Sequence, residues 1–168
     1  MVIYMKETTI IDQNNEGEGL ARIDNIVTFI PYGLKDEVIN VEITNKQKKY
    51  NIGKIINIIK ESKERTNPKC KYYYECGGCN LMHQEYVYQL EYKKRNVANN
   101  IKKICNINID NIEIISDNNF NYRNHIRLHL NKKEIGFYSN NTNKVIDIEE
   151  CLIANNSINK IIKELRVF

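Results

Sequence analysis

Several features that mark other classes of protein are scarce or missing in this sequence of 168 residues. Tryptophan is absent, proline occurs twice, and the aromatic residues are mostly tyrosine. No apolar run approaches the ~18 residues that a membrane-spanning helix needs. The opening stretch, MVIYMKETTI, lacks the charged start and apolar core of a secretory signal. These absences predict a cytoplasmic protein without a membrane partner, and we expect a monomer.

Charged residues are distributed unevenly along the chain. Residues 1–45 hold three basic and eight acidic side chains, whereas residues 46–105 hold fourteen basic and five acidic ones. The two signs balance in residues 106–168. A basic block of this kind attracts polyanions, most often RNA or DNA. A solvated, lysine-rich surface is the other interpretation.

The first sixty residues have the pattern of a small β domain. Five short stretches are rich in Ile, Val, Thr and Phe and alternate with turn residues: TTIIDQ, GLARID, NIVTFIP, DEVINVEIT and YNIGKIINII. Strands this short and closely spaced favour a closed or nearly closed barrel of the OB type over residues 1–60. The polar stretch 61–69, which contains a proline, is predicted to be a linker.

Residues 61–168 are predicted to form a second, small α+β domain. Apolar residues recur at helical spacing from Gln84 to Ile104, and a second amphipathic helix is predicted from about Ile158 to Leu165. Between these two helices lie four stretches with the composition of strands: IEIIS, HIRLHL, EIGFYS and KVIDIEE. The whole chain is therefore expected to be mainly β with α, a barrel followed by an α+β domain.

Three of the five cysteines, Cys70, Cys76 and Cys79, lie within ten residues. Thiols stay reduced in the cytosol, so such a cluster indicates a metal site before disulfides. The two glycines between Cys76 and Cys79 let the backbone turn tightly, so that both sulfurs can reach one centre. A closed site needs a fourth ligand: His83 would complete a Cys3His zinc pattern, and Cys151 would complete an all-cysteine iron–sulfur site. Spacing alone leaves both open, together with the plainer interpretation of reduced, buried cysteines.

The segment CGGCNLMHQEYVYQLEYKKRNV resembles the iron–sulfur segment of the RNA uracil-5-methyltransferases, which methylate carbon 5 of uracil in ribosomal or transfer RNA. Three more segments resemble parts of this family in the same order: GEGLARIDNIVTFIPYGLKDEVINVEI its OB-like TRAM domain, NYRNHIRLHL its Tyr-Arg motif, and GFYSNNTNKVIDIEECLI the segment with the distant cysteine. The resemblance implies that four cysteines bind a [4Fe-4S] cluster: Cys70, Cys76, Cys79 and Cys151. Leu152 and His125 depart from the family, which usually has proline and often has lysine there.

By the same resemblance the chain binds structured RNA, and we favour ribosomal RNA over transfer RNA. Arg123 of the Tyr-Arg motif is the strongest predicted RNA contact. Tyr122 is predicted either to stack on a base or to be a tyrosine of the core. Lys71, Arg127 and Lys93 are further predicted contacts, each with a solvated surface charge as the alternative interpretation.

The methyl-transfer chemistry itself has no counterpart in these residues. The family's reaction needs a thiolate that adds to carbon 6 of uracil, a base for the carbon-5 proton and bound S-adenosylmethionine. None of the seven glycines forms a G-x-G-x-x-G cofactor loop, and Cys105, the one cysteine outside the cluster set, has the setting of a small buried hydrophobe. We therefore assign no catalytic residue, and we expect S-adenosylmethionine only where a longer chain or a separate partner supplies a methyltransferase domain.

Two other functions stay open from the residues alone. A stand-alone RNA-binding module stabilised by zinc would use His83 as the fourth ligand. A small iron–sulfur electron carrier is the third hypothesis, although a basic block and an OB-like barrel serve no electron carrier in particular. Brown, iron-containing protein would separate the cluster hypothesis from a colourless zinc site.

Overall fold

The chain divides into two compact units that alternate along the sequence. The computed structural model describes residues 5–140 and 142–167. The first unit comprises Met1–Asn67 and His83–Asn100, and the second comprises Pro68–Met82 and Ile101–Phe168. Each unit is therefore assembled from two separate stretches of chain.

The first unit is built on a six-stranded sheet. Its strands are β1 (Met5–Thr9), β2 (Asp12–Gln13), β3 (Gly19–Ile23), β4 (Ile26–Ile30), β5 (Val38–Lys46) and β6 (Tyr50–Lys60). They pair in the order β1-β5-β6-β4-β3-β2, and every pair is antiparallel except β4 with β6. The expected β-rich domain is confirmed, but in the described residues the ladder ends at β1 and β2 and forms no closed barrel.

The predicted strand TTIIDQ is in fact divided between β1 and β2. Ile10 and Ile11 interrupt the ladder, because the backbone N–H of Ile10 donates to the Glu37 carbonyl (2.9 Å) and that of Ile11 donates to the Leu20 carbonyl (2.8 Å). The Ile10 side chain is fully buried in the core of the unit. One continuous stretch thus supplies both edges of the sheet, β1 against β5 and β2 against β3.

Turn residues define the two hairpins that join β3 to β4 and β2 to β3. Asp24 and Asn25 join β3 to β4 and have φ angles of 51° and 63°, and a type I′ turn needs positive φ at both of its central residues. Between β2 and β3 the side-chain oxygen of Asn14 accepts hydrogen bonds from the N–H groups of Glu16 (3.0 Å) and Glu18 (2.9 Å). These local preferences explain why the hairpin positions can be read from the sequence.

A buried ion pair fastens the stretch after β6 to the first unit. Glu37 is fully buried, and its Oε2 accepts hydrogen bonds from the backbone N–H of Leu34 (2.9 Å) and from Arg65 Nη2 (2.8 Å). Arg65 Nη2 also donates to the carbonyl of Tyr32 (2.7 Å). The predicted linker 61–69 is therefore packed onto the unit as far as Arg65 instead of running free.

Helix α1 (Tyr86–Cys105) confirms the first predicted helix and begins within the first unit. The Tyr92 hydroxyl donates to the Asn14 carbonyl (2.6 Å). An Arg95 guanidinium nitrogen lies 3.6 Å from a carboxylate oxygen of Asp12. These polar contacts join the start of the helix to the turn and strand that form one edge of the sheet.

The second unit combines a three-stranded antiparallel sheet with one helix. Its strands β7 (His129–Asn131), β8 (Glu134–Tyr138) and β9 (Val145–Asp147) pair in that order. Helix α2 spans Asn156–Leu165, and the side chain of Asn155 caps it by accepting a hydrogen bond from the N–H of Ile158 (2.9 Å). Neither α1 nor α2, the two helices of the described residues, is long and apolar enough to cross a membrane.

Two of the strands predicted for this unit need correction. The stretch IEIIS has no regular secondary structure, and Ile115 is 95 % exposed. Of the stretch HIRLHL, only His129 and Leu130 belong to β7. Strand composition is a weak signal, because a strand also needs a partner to pair with, and no strand in residues 5–140 and 142–167 pairs with IEIIS.

Replacing Glu37 with alanine should strongly destabilise the first unit. The change leaves the Arg65 guanidinium, whose side chain is 10 % exposed, without its carboxylate, and breaking a buried ion pair costs about 3–5 kcal/mol. We expect urea unfolding followed by circular dichroism to show this loss. Glu61 is exposed and is the matched control, because Glu61→Ala should change the free energy of unfolding by less than about 0.5 kcal/mol. Equal losses for the two variants would contradict the stabilising role of the pair.

Candidate metal centre

Four cysteines of the second unit line a single cavity. Cys70, Cys76 and Cys79 come from one loop, and Cys151 comes from the loop after β9. All four are half-buried. Cys105 at the end of α1 is exposed, so the prediction that it is a small buried hydrophobe is wrong. Much of the remaining wall is aromatic or aliphatic, with one guanidinium and one carboxylate: Tyr72, Tyr73, Phe137, Ile148, Ile153, Arg123 and Glu150. The cysteines that were grouped by resemblance thus share one cavity wall.

Two glycines and a tight turn shape the loop that carries three of the sulfurs. The N–H of Cys76 donates to the Tyr72 carbonyl (2.8 Å), and the N–H of Gly77 donates to the Tyr138 carbonyl at the end of β8 (2.9 Å). A Cβ atom on Gly77 would lie 2.9 Å from that same carbonyl oxygen, so a larger residue would force the loop away from the strand. The N–H of Gly78 donates to Cys76 Sγ (3.4 Å), and a hydrogen bond of this kind stabilises negative charge on sulfur.

A side-chain amide on α2 holds the loop that carries Cys151. The Oδ1 atom of Asn159 accepts a hydrogen bond from the N–H of Cys151 (2.8 Å). Its Nδ2 atom donates to the carbonyls of Cys151 (3.1 Å) and Ala154 (3.2 Å). The role of Asn159 was not predicted, because one asparagine in an asparagine-rich chain gives no local signal of such a role.

Backbone pairing also fastens the Tyr-Arg motif to this loop. The N–H of Arg123 donates to the Ile153 carbonyl (2.8 Å), and the N–H of Asn155 donates to the Arg123 carbonyl (2.9 Å). A separate hydrogen bond joins the two cysteine-bearing loops, because the N–H of Glu149 donates to the Tyr72 hydroxyl (3.0 Å). The motif that was predicted to contact RNA is therefore also part of the cavity's scaffold.

The cavity is a costly place for a thiolate unless positive charge is present. Burial, and after it the nearby Cys151 and Cys76, raise the pKa of Cys79 to about 12, while the charge of Arg123 acts in the opposite direction. Burial is also the main reason why the pKa values of Cys70 and Cys76 are raised. Four ionised sulfurs fit together here only around a cationic centre, since thiolate ligands are stabilised by the metal that they bind.

The side chains that could bind a metal in this cavity are mainly the four cysteine sulfurs. In the part of the chain that the structure describes, no three Cys, His, Asp or Glu side chains are grouped as one metal ion would need, and zinc holds its sulfur ligands at about 2.3 Å. Four cysteine ligands are the donor set that holds iron–sulfur clusters, so the chemistry of the donors is compatible with such a group.

His83, the alternative fourth ligand, belongs to the first unit. It is fully buried, and its ring packs edge-on against Tyr32 with the ring centroids 5.8 Å apart. Burial, with a smaller contribution from the charge of Arg65, lowers the pKa of His83 to about 3. His83 is not among the described residues that line the sulfur cavity.

The predicted RNA contacts are divided between the two units. Tyr122 is 57 % exposed and Arg127 is also exposed. Lys71 is exposed with its ammonium 2.7 Å from a carboxylate oxygen, and Lys93 is exposed on the part of α1 that belongs to the first unit. Arg123 differs from these four, because it is half-buried and lines the sulfur cavity.

Comparison with known proteins relates both units to one family. Residues 6–56 match the TRAM domain. Over 164 residues the chain is 35 % identical to an uncharacterised RNA methyltransferase of Clostridium acetobutylicum, which covers 93 % of this chain and 36 % of that protein. By sequence, the chain corresponds to the N-terminal third of RNA methyltransferase homologues. An uncharacterised RNA methyltransferase of Caldanaerobacter subterraneus is 36 % identical over 165 residues, with 95 % of this chain and 36 % of that protein covered.

A solved structure from the same family has a similar fold. It is the crystal structure of the Pyrococcus abyssi tRNA (uracil-54, C5)-methyltransferase in complex with S-adenosyl-L-homocysteine, with a TM-score of 0.68 and 26 % sequence identity. The match covers 96 % of this chain and 36 % of that chain. The family resemblance read from the sequence is thus confirmed, and the chain spans about a third of the length of the relatives that it matches.

Acid should destabilise the first unit through His83. Its pKa is lowered from 6.5 to about 3 in the folded chain, so between these values the unfolded chain binds a proton that the folded chain excludes. The free energy of unfolding therefore falls as the pH drops below 6.5, by about 2 kcal/mol at pH 5. We expect His83→Gln to abolish this part of the difference between urea midpoints at pH 7 and pH 5. An unchanged pH dependence in the variant would show that other groups cause the acid sensitivity.

Proposed function

We propose that this chain is the RNA-binding, [4Fe-4S]-containing N-terminal portion of an S-adenosylmethionine-dependent RNA uracil-5-methyltransferase. The observation that carries the proposal is the position of Cys151 in the same cavity wall as the cysteines of the loop 70–79. Two comparisons support it, because residues 6–56 match the TRAM domain and nearly the whole chain aligns with RNA methyltransferases.

In this proposal four cysteines bind the cluster: Cys70, Cys76, Cys79 and Cys151. A cluster with four cysteine ligands serves here to join two loops that are distant in sequence, and metal binding of this kind contributes free energy to folding. Aromatic rings cover part of the site. Tyr73 is 2 % exposed, and its hydroxyl donates to the Asn80 carbonyl (2.8 Å), which fixes the ring in the cavity wall.

The proposed partner is a structured RNA. TRAM domains are associated with RNA binding, and the basic stretch from Lys46 to Lys71 supplies positive charge for the phosphates. The solved relative from Pyrococcus abyssi acts on transfer RNA by its name, whereas the sequence analysis favoured ribosomal RNA. The RNA-binding experiment described below therefore includes one RNA of each class.

Methyl transfer is assigned to the part of the relatives that this chain does not match. The reaction at carbon 5 of uracil needs a nucleophile for carbon 6, a base and a bound methyl donor. Cys105 is the one cysteine outside the cavity, and it is exposed at the end of α1. We propose no catalytic role for it, and the activity of this chain is limited to binding and presenting RNA.

Protein purified without oxygen should be brown and contain about four irons and four sulfides per chain. We expect Cys151→Ser to lose the colour and most of the iron, because it removes the ligand that joins the two loops. The measurement is visible absorbance together with iron and sulfide analysis.

Two matched variants make this test specific. Cys105→Ser removes a thiol outside the cavity and should keep the full iron content, and His83→Ala should also remain brown. Colourless wild-type protein with one zinc per chain would overturn the cluster, as would a loss of metal in His83→Ala but not in Cys151→Ser.

RNA binding should be measurable by fluorescence anisotropy with a labelled transfer RNA transcript and a ribosomal stem-loop. We expect Arg127→Gln to weaken binding to both RNAs and to reduce the slope of log K against log salt by about 1, as the loss of one phosphate contact does. Lys160→Gln, an exposed position on α2, is the charge-matched control. Failure of the wild-type chain to bind either RNA would remove the RNA-binding part of the proposal.

A further inference from the structure

The outward side of the first sheet carries a patch that the four-cysteine site does not explain. Register places six residues in two rows across β3, β4 and β6: Leu20, Phe29 and Ile52, then Arg22, Val27 and Tyr50. The intervening residues Ala21, Thr28 and Asn51 are buried. Because side chains alternate between the two faces of a strand, these six residues, here called the outer patch, point away from the core.

An aromatic pair lies at the centre of the outer patch. The rings of Phe29 and Tyr50 meet edge to face, with centroids 5.3 Å apart and planes at 76°. This geometry is favourable between the rings themselves and fixes their orientation. Tyr50 nevertheless remains 40 % exposed, so ring surface is available to a flat ligand.

Three basic side chains lie in or directly beside the outer patch, whereas Asp12, which register places opposite Leu20, brings a carboxylate to its far edge. Lys48 and Lys49 are exposed in the turn directly before Tyr50, and the stretch KQKKYNI contains no acidic residue. A hydrogen bond from the N–H of Gln47 to the Tyr50 carbonyl (2.9 Å) closes the turn. Arg22 is exposed in the outer patch itself. Among the described residues, no ion pair occupies Arg22, Lys48 or Lys49.

We propose that the outer patch and the adjacent turn lysines are a docking surface for a single-stranded segment of RNA. An unstacked base lies on the Tyr50 ring, while Lys48, Lys49 and Arg22 neutralise the flanking phosphates, which is the combination that single-strand binding requires. Bases inside a duplex are already stacked and cannot reach the ring. This inference rests on the proposed RNA-binding function and adds to it the form of the RNA and the place where it binds.

The test compares variants of the full, cluster-containing chain in their binding to a labelled 12-nucleotide oligouridine and to an RNA hairpin of paired bases. Tyr50→Ala should weaken binding to the oligouridine by about 5-fold to 100-fold, and Tyr50→Phe, which keeps the ring, should bind like wild type. The double variant Lys48→Gln/Lys49→Gln should reduce the salt slope by about 1.4. Lys102→Gln/Lys103→Gln, which removes two exposed charges at the end of α1, should leave the oligouridine slope unchanged.

The results distinguish failure of the docking surface from failure of the proposed RNA-binding function. If the wild-type chain binds RNA and Tyr50→Ala binds the oligouridine equally well, the docking surface is wrong while RNA binding stands. If the wild-type chain binds neither RNA, both fail. A concentration-dependent dimer in sedimentation that Tyr50→Ala abolishes, with RNA affinity unchanged, would make the patch an interface between copies of the chain.

A second measurement does not depend on variants that fold well. Oligouridine with photoreactive 4-thiouridine should crosslink to the wild-type chain, and mass spectrometry should locate the crosslink in peptides that contain Phe29 or Tyr50. Crosslinks confined to other peptides would overturn the inference.

Discussion

The second unit depends on one constraint: sulfurs from two loops, 72 residues apart between Cys79 and Cys151, must line the same cavity. Local sequence preferences cannot bring these two loops together, because such preferences act over a few residues. Hydrogen bonds hold the loops in place instead, from Gly77 to the end of β8 and from Asn159 to the Cys151 loop. Because both loops are held by contacts outside the cavity, the site is preorganised for the group that we propose it binds.

This scaffold couples the proposed metal centre to the proposed RNA contacts. The backbone of Arg123 pairs with the residues that follow Cys151, and its side chain lines the cavity. Tyr122, the adjacent residue, is largely exposed. Any change that loosens the Cys151 loop therefore also releases the Tyr-Arg motif, so the cluster that we propose would affect RNA binding without touching the RNA.

Much of the fold follows from local chemistry, and much of the site does not. The hairpin at Asp24 and Asn25, helix α1 and the strands β3 and β4 were predictable, because turn residues and periodicity act over a few positions. The stretch IEIIS failed as a strand because composition cannot supply a pairing partner. Arg65 pairs with Glu37, which is far from it in the sequence. Asn159 binds the Cys151 loop, but it is one of many asparagines in the chain. A single sequence carries no signal for either.

The alternation of the two units along the chain constrains the order in which the protein is made. The first unit lacks its final stretch until residue 100 has been synthesised, by which point three cysteines of the second unit are already present. At about 5–20 residues per second, the ribosome needs roughly 4 to 14 seconds to advance from Cys79 to Cys151. For that interval the nascent polypeptide carries only three of the four cavity thiols, so the cluster that we propose would gain its fourth ligand only after Cys151 has left the exit tunnel.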